Sequence, residues 1–118
     1  MKIALIGCTK KKRDICSKAI DLYDKSDFFC KELAYAKKVL NVDSVWILSA
    51  KHHLLSADTM VAPYNVTLVG AKKSEREQWA TDTFKQIKKM QSEEIPKEIY
   101  ISINALQKLI KDLLILHM

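Results

Sequence analysis

Two histidines and a lysine with side chains suited to proton transfer or anion binding directly follow an apolar run. The run is "SVWILSA", residues 44–50, and Lys51, His52 and His53 come next. Because such a run predicts a buried strand, these polar residues mark the point where the strand leaves the core. We take His52 as a candidate proton-transfer residue and Lys51 as a candidate anion ligand, with an ordinary polar loop as the alternative.

A metal site is not predicted at the histidine pair. His52 and His53 are adjacent in the sequence, so they do not readily face one ion in a regular backbone conformation. No Glu or Asp stands at the spacing of a metalloprotease helix. The sequence therefore favours histidine as a hydrogen-bond donor or proton carrier, and it identifies no cofactor.

A second candidate segment is "GCTKKK", residues 7–12. A strand that turns at Gly7 into Cys8, Thr9 and Lys10 offers backbone N–H groups, a hydroxyl and a positive charge, which suit a phosphate or carboxylate. It is not a Walker loop, because the spaced second glycine and the Lys-Ser/Thr pair are absent. Cys8 is also a candidate nucleophile with His52 as its base, although a lone cysteine after a strand is more often a packing residue.

The stretch "DTMVAPYNVTL", residues 58–68, contributes two further candidates, Tyr64 and Thr67. Pro63 directs the preceding residue to an extended conformation. Tyr64 would stack on a base or donate its hydroxyl to a ligand. The alternative is that Tyr64 packs this loop onto the sheet.

The apolar pattern predicts the elements that position these residues. Strands are predicted at 2–7, 44–50 and 96–103. A helix begins at Ser26 or Asp27 and ends near Asn41, with an apolar face of Phe28 or Phe29, Leu33, Ala36 and Leu40. Residues 51–70 are predicted to be irregular.

Two more helices complete the pattern. Ser74 and Glu77 form a capping box for a helix from Lys73, followed by Trp79, Phe84, Ile87 and Met90. Asn104 caps a last helix with an apolar face of Leu106, Leu109, Ile110, Leu113 and Leu114.

Strands and helices alternate along the chain, which predicts one α/β domain over residues 1–118. We expect a three-layer, mostly parallel sheet with flanking helices and Rossmann-like alternation. Ligands of such sheets bind beyond the carboxyl ends of the strands. The polar residues expected to meet there are Cys8, Thr9, Lys10, Ser49, Lys51, His52, His53 and Asn104.

Composition narrows the class of protein further. The formal net charge of +6 favours anionic partners such as nucleotides or nucleic acid. No apolar run reaches the roughly 20 residues of a membrane span, and the N-terminus lacks a signal-peptide pattern. The three cysteines form no C-x-x-C pair, so a disulfide framework is not indicated. These features predict a cytoplasmic protein without a membrane partner.

Taken together, "GCTKKK", "DLYDKSDFF" and "WILSAKHHLLSADTMVAPYNVTL", followed by a Trp-bearing helix, resemble a family of small bacterial, archaeal and phage proteins. That family is described as similar to the peroxide stress protein YaaA. The resemblance covers roughly residues 3–85. The residues on its motif positions are Cys8, Thr9, Lys10, Lys12, Tyr23, Ser26, Ser49, Lys51, Leu54, Leu55, Pro63, Tyr64 and Thr67.

The resemblance implies a positively charged cleft and a role in oxidative stress, through free iron, or in DNA binding. Two departures stand out. Family members usually have Tyr-Gly where this chain has His52-His53, and a glycine there would serve a left-handed backbone that a histidine strains. The chain also ends sooner after the third strand than its relatives do.

Three functional hypotheses follow. The first is binding of a phosphate-containing ligand by residues at the strand ends: Cys8, Thr9, Lys10, Lys12, Ser49, Lys51, His52, Tyr64 and Thr67. The second is an enzyme acting on a nucleotide or nucleobase, with His52 or Cys8 as the catalytic residue. The third is a non-catalytic protein that forms a homo-oligomer through its C-terminal helix.

Overall fold

Strand β1, Lys2–Gly7, has the range that its apolar run predicts. The computed structural model describes residues 1–67, 70–91 and 98–102. The predicted helix after Asn104 and the ends of the third predicted strand (residues 96, 97 and 103) lie outside these ranges. The other described elements are β2 (Ser17–Lys18), α1 (Ala19–Leu22), α2 (Asp27–Lys38), β3 (Ser44–Ser49), β4 (His53–Ser56), β5 (Met60–Val61), α3 (Lys73–Gln91) and β6 (Glu98–Ile101).

The main sheet has the strand order β4-β3-β1-β6, and β2 pairs with β5 in a separate two-stranded ribbon. Strand β1 runs parallel to both β3 and β6. Strand β4 runs antiparallel to β3 and forms one edge. The prediction of an α/β fold with a mostly parallel sheet is therefore confirmed.

The prediction that residues 51–70 are irregular is wrong, because β4 and β5 lie within them. In the ladder Ser49 faces His53, so only three residues, 50–52, separate the strands. A connection this short permits only an antiparallel return, since a parallel crossover needs a dozen or more residues. The apolar pair Leu54 and Leu55 is too short a run to identify a strand from sequence.

Helix α2 begins as predicted. Ser26 is its N-cap, and the Ser26 Oγ accepts a hydrogen bond from the backbone N–H of Phe29 at 3.3 Å. Phe29 is fully buried, whereas Phe28 is exposed, so Phe29 belongs to the apolar face. The helix ends at Lys38, before the predicted stop at Asn41, which has a φ of 52°.

Helix α3 starts at Lys73, so Ser74 lies inside its first turn and is not the predicted cap. Glu77 instead pairs with Lys73 one turn earlier, with 3.8 Å between Nζ and Oε1. Trp79, Ile87 and Met90 are buried as predicted, but Phe84 is 36% exposed. None of the helices in the described ranges is long and apolar enough to cross a membrane.

The side chains of β1 alternate between two apolar clusters. Ala4 and Ile6 pack in the cluster that contains the α2 residue Phe29. Ile3 and Leu5 pack in the cluster that contains the α3 residue Trp79. Because β1 is buried on both sides, its sequence is apolar without a break, and its carboxyl end emerges beside that of β3.

Candidate functional site

The turn after β3 is organised by Ser49, the last residue of that strand, which is fully buried. Its Oγ accepts hydrogen bonds from the backbone N–H groups of Lys51, at 3.2 Å, and His52, at 3.0 Å. A serine that bonds the backbone ahead of it fixes a turn locally. The positions of Lys51 and His52 therefore depend on this one hydroxyl.

The same hydroxyl joins two tyrosines. Ser49 Oγ lies 2.7 Å from Tyr64 Oη, and Tyr64 Oη lies 2.6 Å from Tyr23 Oη. Tyr64 is half-buried, and Tyr23, which ends α1, is fully buried. These bonds attach the segment around Tyr64 to the end of β3, which is the loop-packing alternative considered for this residue.

Helix α3 holds Ser49 from the other side. The indole Nε1 of Trp79 donates to the carbonyl oxygen of Ser49 at 2.9 Å. The ring of Trp79 also stacks on the imidazole of His53, with 6.3 Å between centroids and 18° between planes. The sequence did not identify Trp79 or Tyr23 as a candidate ligand contact. Tyr23 was marked only by the motif resemblance.

Two lysine ammonium groups approach the ring of Tyr64. The Nζ of Lys12 lies 4.5 Å from its centroid, and the Nζ of Lys51 lies 6.0 Å from it. Lys12 also lies 5.7 Å from the ring of Tyr23, and its Nζ donates to the carbonyl oxygen of Lys10 at 3.3 Å. Cation–π attraction therefore gathers positive charge from two separate segments at one aromatic side chain. We call Lys12, Lys51, Ser49 and Tyr64 the cationic cluster.

The two histidines point to different surroundings. His52 is exposed and meets the Tyr64 ring edge-on, at 5.4 Å and 88°. Partial burial, and then the charges of Lys51 and His53, lower the pKa of His52, so the neutral imidazole predominates at pH 7. His53 faces α3, where its Nε2 lies 3.9 Å from the Oδ2 of Asp82.

The residues after β1 are partly gathered at this cluster. Cys8 is buried, and its N–H donates to the carbonyl oxygen of Leu48 at 2.9 Å, continuing the pairing with β3. The Oγ1 of Thr9 donates to the carbonyl oxygen of Lys11 at 3.3 Å, and Lys10 is exposed. Of the other predicted residues, Thr67 is exposed and Asn104 lies outside the described residues.

Burial and the Tyr–Tyr contact alter the acidity of both phenols. Burial raises the pKa of Tyr23 to about 12, against the opposing effect of its hydrogen bond with Tyr64. Burial also raises the pKa of Tyr64, and the nearby Cys8 sulfur adds to the effect. Both hydroxyls therefore keep their protons across the physiological pH range, as hydrogen-bond donors require.

Two acidic side chains near the basic segment, Asp14 and Asp24, are already paired. The guanidinium of Arg13 binds both carboxylate oxygens of Asp24 and holds the pKa of that carboxyl below its usual range. Lys25 lies 3.3 Å from Asp14. By contrast, no carboxylate within the described ranges pairs with Lys51, so its charge is available to an anion.

Two cavities lie away from this cluster. One of about 660 Å³ is formed near the start of β3, with Trp46 and Leu54 among its lining residues. The other, of about 490 Å³, is lined mainly by apolar residues of α2, β1 and β6, including Phe28, Tyr35 and Tyr100. Neither is lined by Ser49, Lys51 or Tyr64, so the cationic cluster is distinct from both.

Comparison with known proteins places the chain in a family without assigning it a function. No curated protein matches the chain, and no solved structure does either. A family model covers residues 3–115, a range that includes every residue of the cationic cluster. The chain therefore belongs to DUF6884, a family of unknown function.

Proposed function

We propose that the protein binds a phosphate-containing ligand, a nucleotide or a nucleic acid, at the carboxyl ends of β1 and β3. The observation that carries this proposal is the approach of Lys12 and Lys51 to the single ring of Tyr64. These lysines lie 39 residues apart in the sequence (51 minus 12), and the parallel pairing of β1 with β3 brings their segments together. The carboxyl edge of a parallel sheet is where such folds bind ligands.

The electrostatic balance of the cluster supports an anion. Lys10 and Lys11 extend the positive charge beyond Lys12, and two nearby acids, Asp24 and Asp14, are engaged by Arg13 and Lys25. A surface of one sign raises the local concentration of oppositely charged ligands. Since His52 is neutral at pH 7, it would orient a ligand by hydrogen bonding and not by charge.

The lysines, the turn after β1 and Tyr64 have distinct roles in this proposal, and Thr67 is assigned none. Lys10, Lys12 and Lys51 supply charge, and the turn at Cys8 and Thr9 supplies backbone and hydroxyl donors. Tyr64 positions the two lysines, because its hydroxyl is bonded to Ser49 and its ring is approached by both ammonium groups. Stacking of a base on Tyr64 would first require Lys12 to leave the ring.

The broader setting is also part of the proposal. We place the protein in the cytoplasm, supported by Cys8, Cys16 and Cys30, which form no disulfide in the described part of the chain. We further propose a three-layer, Rossmann-like arrangement, supported by apolar clusters that share β1. The motif resemblance supports kinship with YaaA-like proteins and a role in oxidative stress or in association with DNA.

A catalytic role for His52 is the second candidate function. A neutral imidazole beside a lysine can accept a proton at pH 7, which an enzyme acting on a nucleotide or nucleobase requires. Turnover that is lost in His52→Ala while ligand binding survives would support it. Cys8 as nucleophile and a homo-oligomer formed through the C-terminal helix stay predictions.

The proposal is tested by calorimetric titration with adenosine monophosphate and with a short single-stranded DNA. We expect binding that weakens as salt is added, because phosphate contacts release counterions. Lys51→Ala should lower the affinity about tenfold, as loss of a charged contact typically does. Lys31→Ala, which removes an exposed lysine beside the 490 Å³ cavity, is the control and should leave affinity unchanged. If Lys51→Ala and Lys31→Ala bind the probes with equal affinity, the proposed site is wrong.

A further inference from the structure

The hydroxyls of Ser49, Tyr64 and Tyr23 carry three protons, but the two hydrogen bonds among them use only two. Ser49 Oγ accepts from the N–H groups of Lys51 and His52, which occupies both of its lone pairs. The Ser49 hydroxyl is therefore the donor in its 2.7 Å contact with Tyr64. The 2.6 Å contact between Tyr64 and Tyr23 uses one more proton, so one phenolic O–H is left over.

Burial decides which tyrosine carries the remaining O–H. Tyr23 is 0% exposed, and a donor left without an acceptor there would be enclosed by protein. Tyr64 is half-buried, so it is the one of the two tyrosines that is partly open to solvent. The favoured arrangement has Tyr23 and Ser49 both donating to Tyr64, which then directs its own proton outward. The nearby sulfur of Cys8 is only a weak acceptor and does not compete with an oxygen ligand.

We propose that the Tyr64 hydroxyl donates to a terminal oxygen of a phosphomonoester, whose other oxygens face the ammonium groups of Lys12 and Lys51. This inference rests on the proposed function and specifies its ligand. The ammonium groups of Lys12 and Lys51 only donate, and the Tyr64 hydroxyl in this arrangement has one proton left to donate, so three donors are offered to the ligand. A phosphomonoester has three terminal oxygens to receive them, whereas an internal phosphodiester has two and continues on both sides.

The ligand class is tested by calorimetric titration with three probes. Adenosine monophosphate carries a terminal phosphate, adenylyl-adenosine carries only an internal diester, and adenosine carries neither. We expect adenosine monophosphate to bind about tenfold or more tightly than adenylyl-adenosine, since one charge-assisted hydrogen bond is gained. Adenosine should bind more weakly than either. Equal affinity for the two phosphate compounds would overturn the inference.

The role of Tyr64 is tested by comparing two variants that lose the same 2.6 Å hydrogen bond, Tyr64→Phe and Tyr23→Phe. Tyr64→Phe removes the outward donor and should lower affinity for adenosine monophosphate about tenfold. Tyr23→Phe leaves that donor in place and should cost no more than about threefold. Tyr35→Phe, on the exposed face of α2, should bind as the wild type does. Melting temperatures identify any variant that has not folded.

The outcomes separate the two proposals. Suppose the wild type binds both phosphate compounds equally, and Lys51→Ala weakens both. The anion site then stands, and its preference for a terminal phosphate falls. An equal loss in Tyr64→Phe and Tyr23→Phe would overturn the assignment of the outward O–H. A wild-type protein that binds neither phosphate compound would overturn the proposed function and this inference together.

Discussion

The indole of Trp79 donates to the carbonyl oxygen of Ser49 across 2.9 Å, linking the middle of one helix to the last residue of a strand. Both residues are buried. The Oγ of Ser49 simultaneously organises the turn that carries Lys51 and His52. Helix α3 thus holds the end of β3 in place, and the end of β3 in turn positions the candidate ligand contacts Lys51 and His52.

We expect Trp79→Phe to lower the free energy of unfolding by about 1–3 kcal/mol, because the carbonyl oxygen of Ser49 loses its partner in a buried site. Urea unfolding measures this change. Trp46→Phe is the matched control, since Trp46 is half-buried beside a cavity. A loss no larger than that of the control would show that the indole contributes packing alone.

His53 provides a test of backbone strain. Its φ is 63°, in the left-handed region, where a residue with a Cβ costs about 1 kcal/mol or more relative to glycine. His53→Gly should therefore be more stable than His53→Ala by about 1 kcal/mol, since both variants lose the imidazole. In α2, by contrast, the Ala34→Gly variant should be less stable than the wild type, which has alanine there, by a similar amount. Thermal unfolding of the four proteins measures both differences, and a less stable His53→Gly would contradict the prediction.

The lowered pKa of His52 predicts a dependence of stability on pH. Because the unfolded chain binds the proton more tightly than the folded one, the stability that the neutral imidazole contributes is complete above the ordinary value of 6.5. It is lost as the pH falls from 6.5 through the folded pKa. Stability should therefore decrease over that interval.

The same pKa can be followed directly by NMR titration of the imidazole, assigned with a His52→Asn variant. Lys51→Ala should move the pKa upward, since a neighbouring positive charge is removed. Lys31→Ala should leave it where it is. A pKa of His52 at or above 6.5 in the wild type would show that the imidazole is better solvated than the structure indicates.

Local signals in the sequence predicted β1 and α2 well. A continuous apolar run identifies a strand buried on both sides, and Ser26 before Phe29 is a cap readable from four residues. The antiparallel β4 was missed because its apolar content is two adjacent leucines. These residues form a strand because they pair with β3, and a short stretch of sequence around the two leucines does not show that pairing.

The candidate site was predicted in part for the same reason. Topology alone brought Cys8, Ser49 and Lys51 to one edge of the sheet. The hydroxyl contact of Tyr23 with Tyr64 spans 41 residues, and the contact of Trp79 with Ser49 spans 30. Contacts over such separations follow from the packed fold, so neither partner could be identified from its own neighbourhood.

The side chain of Gln86 has a consequence for how copies of this chain meet. Its Oε1 accepts the backbone N–H of Leu54 at 3.0 Å, on the edge strand β4. An incoming strand from another molecule would need that N–H for its own ladder. Helix α3 thereby occupies one of the N–H groups that sheet extension at this edge would use, which opposes the edge-to-edge pairing that begins aggregation.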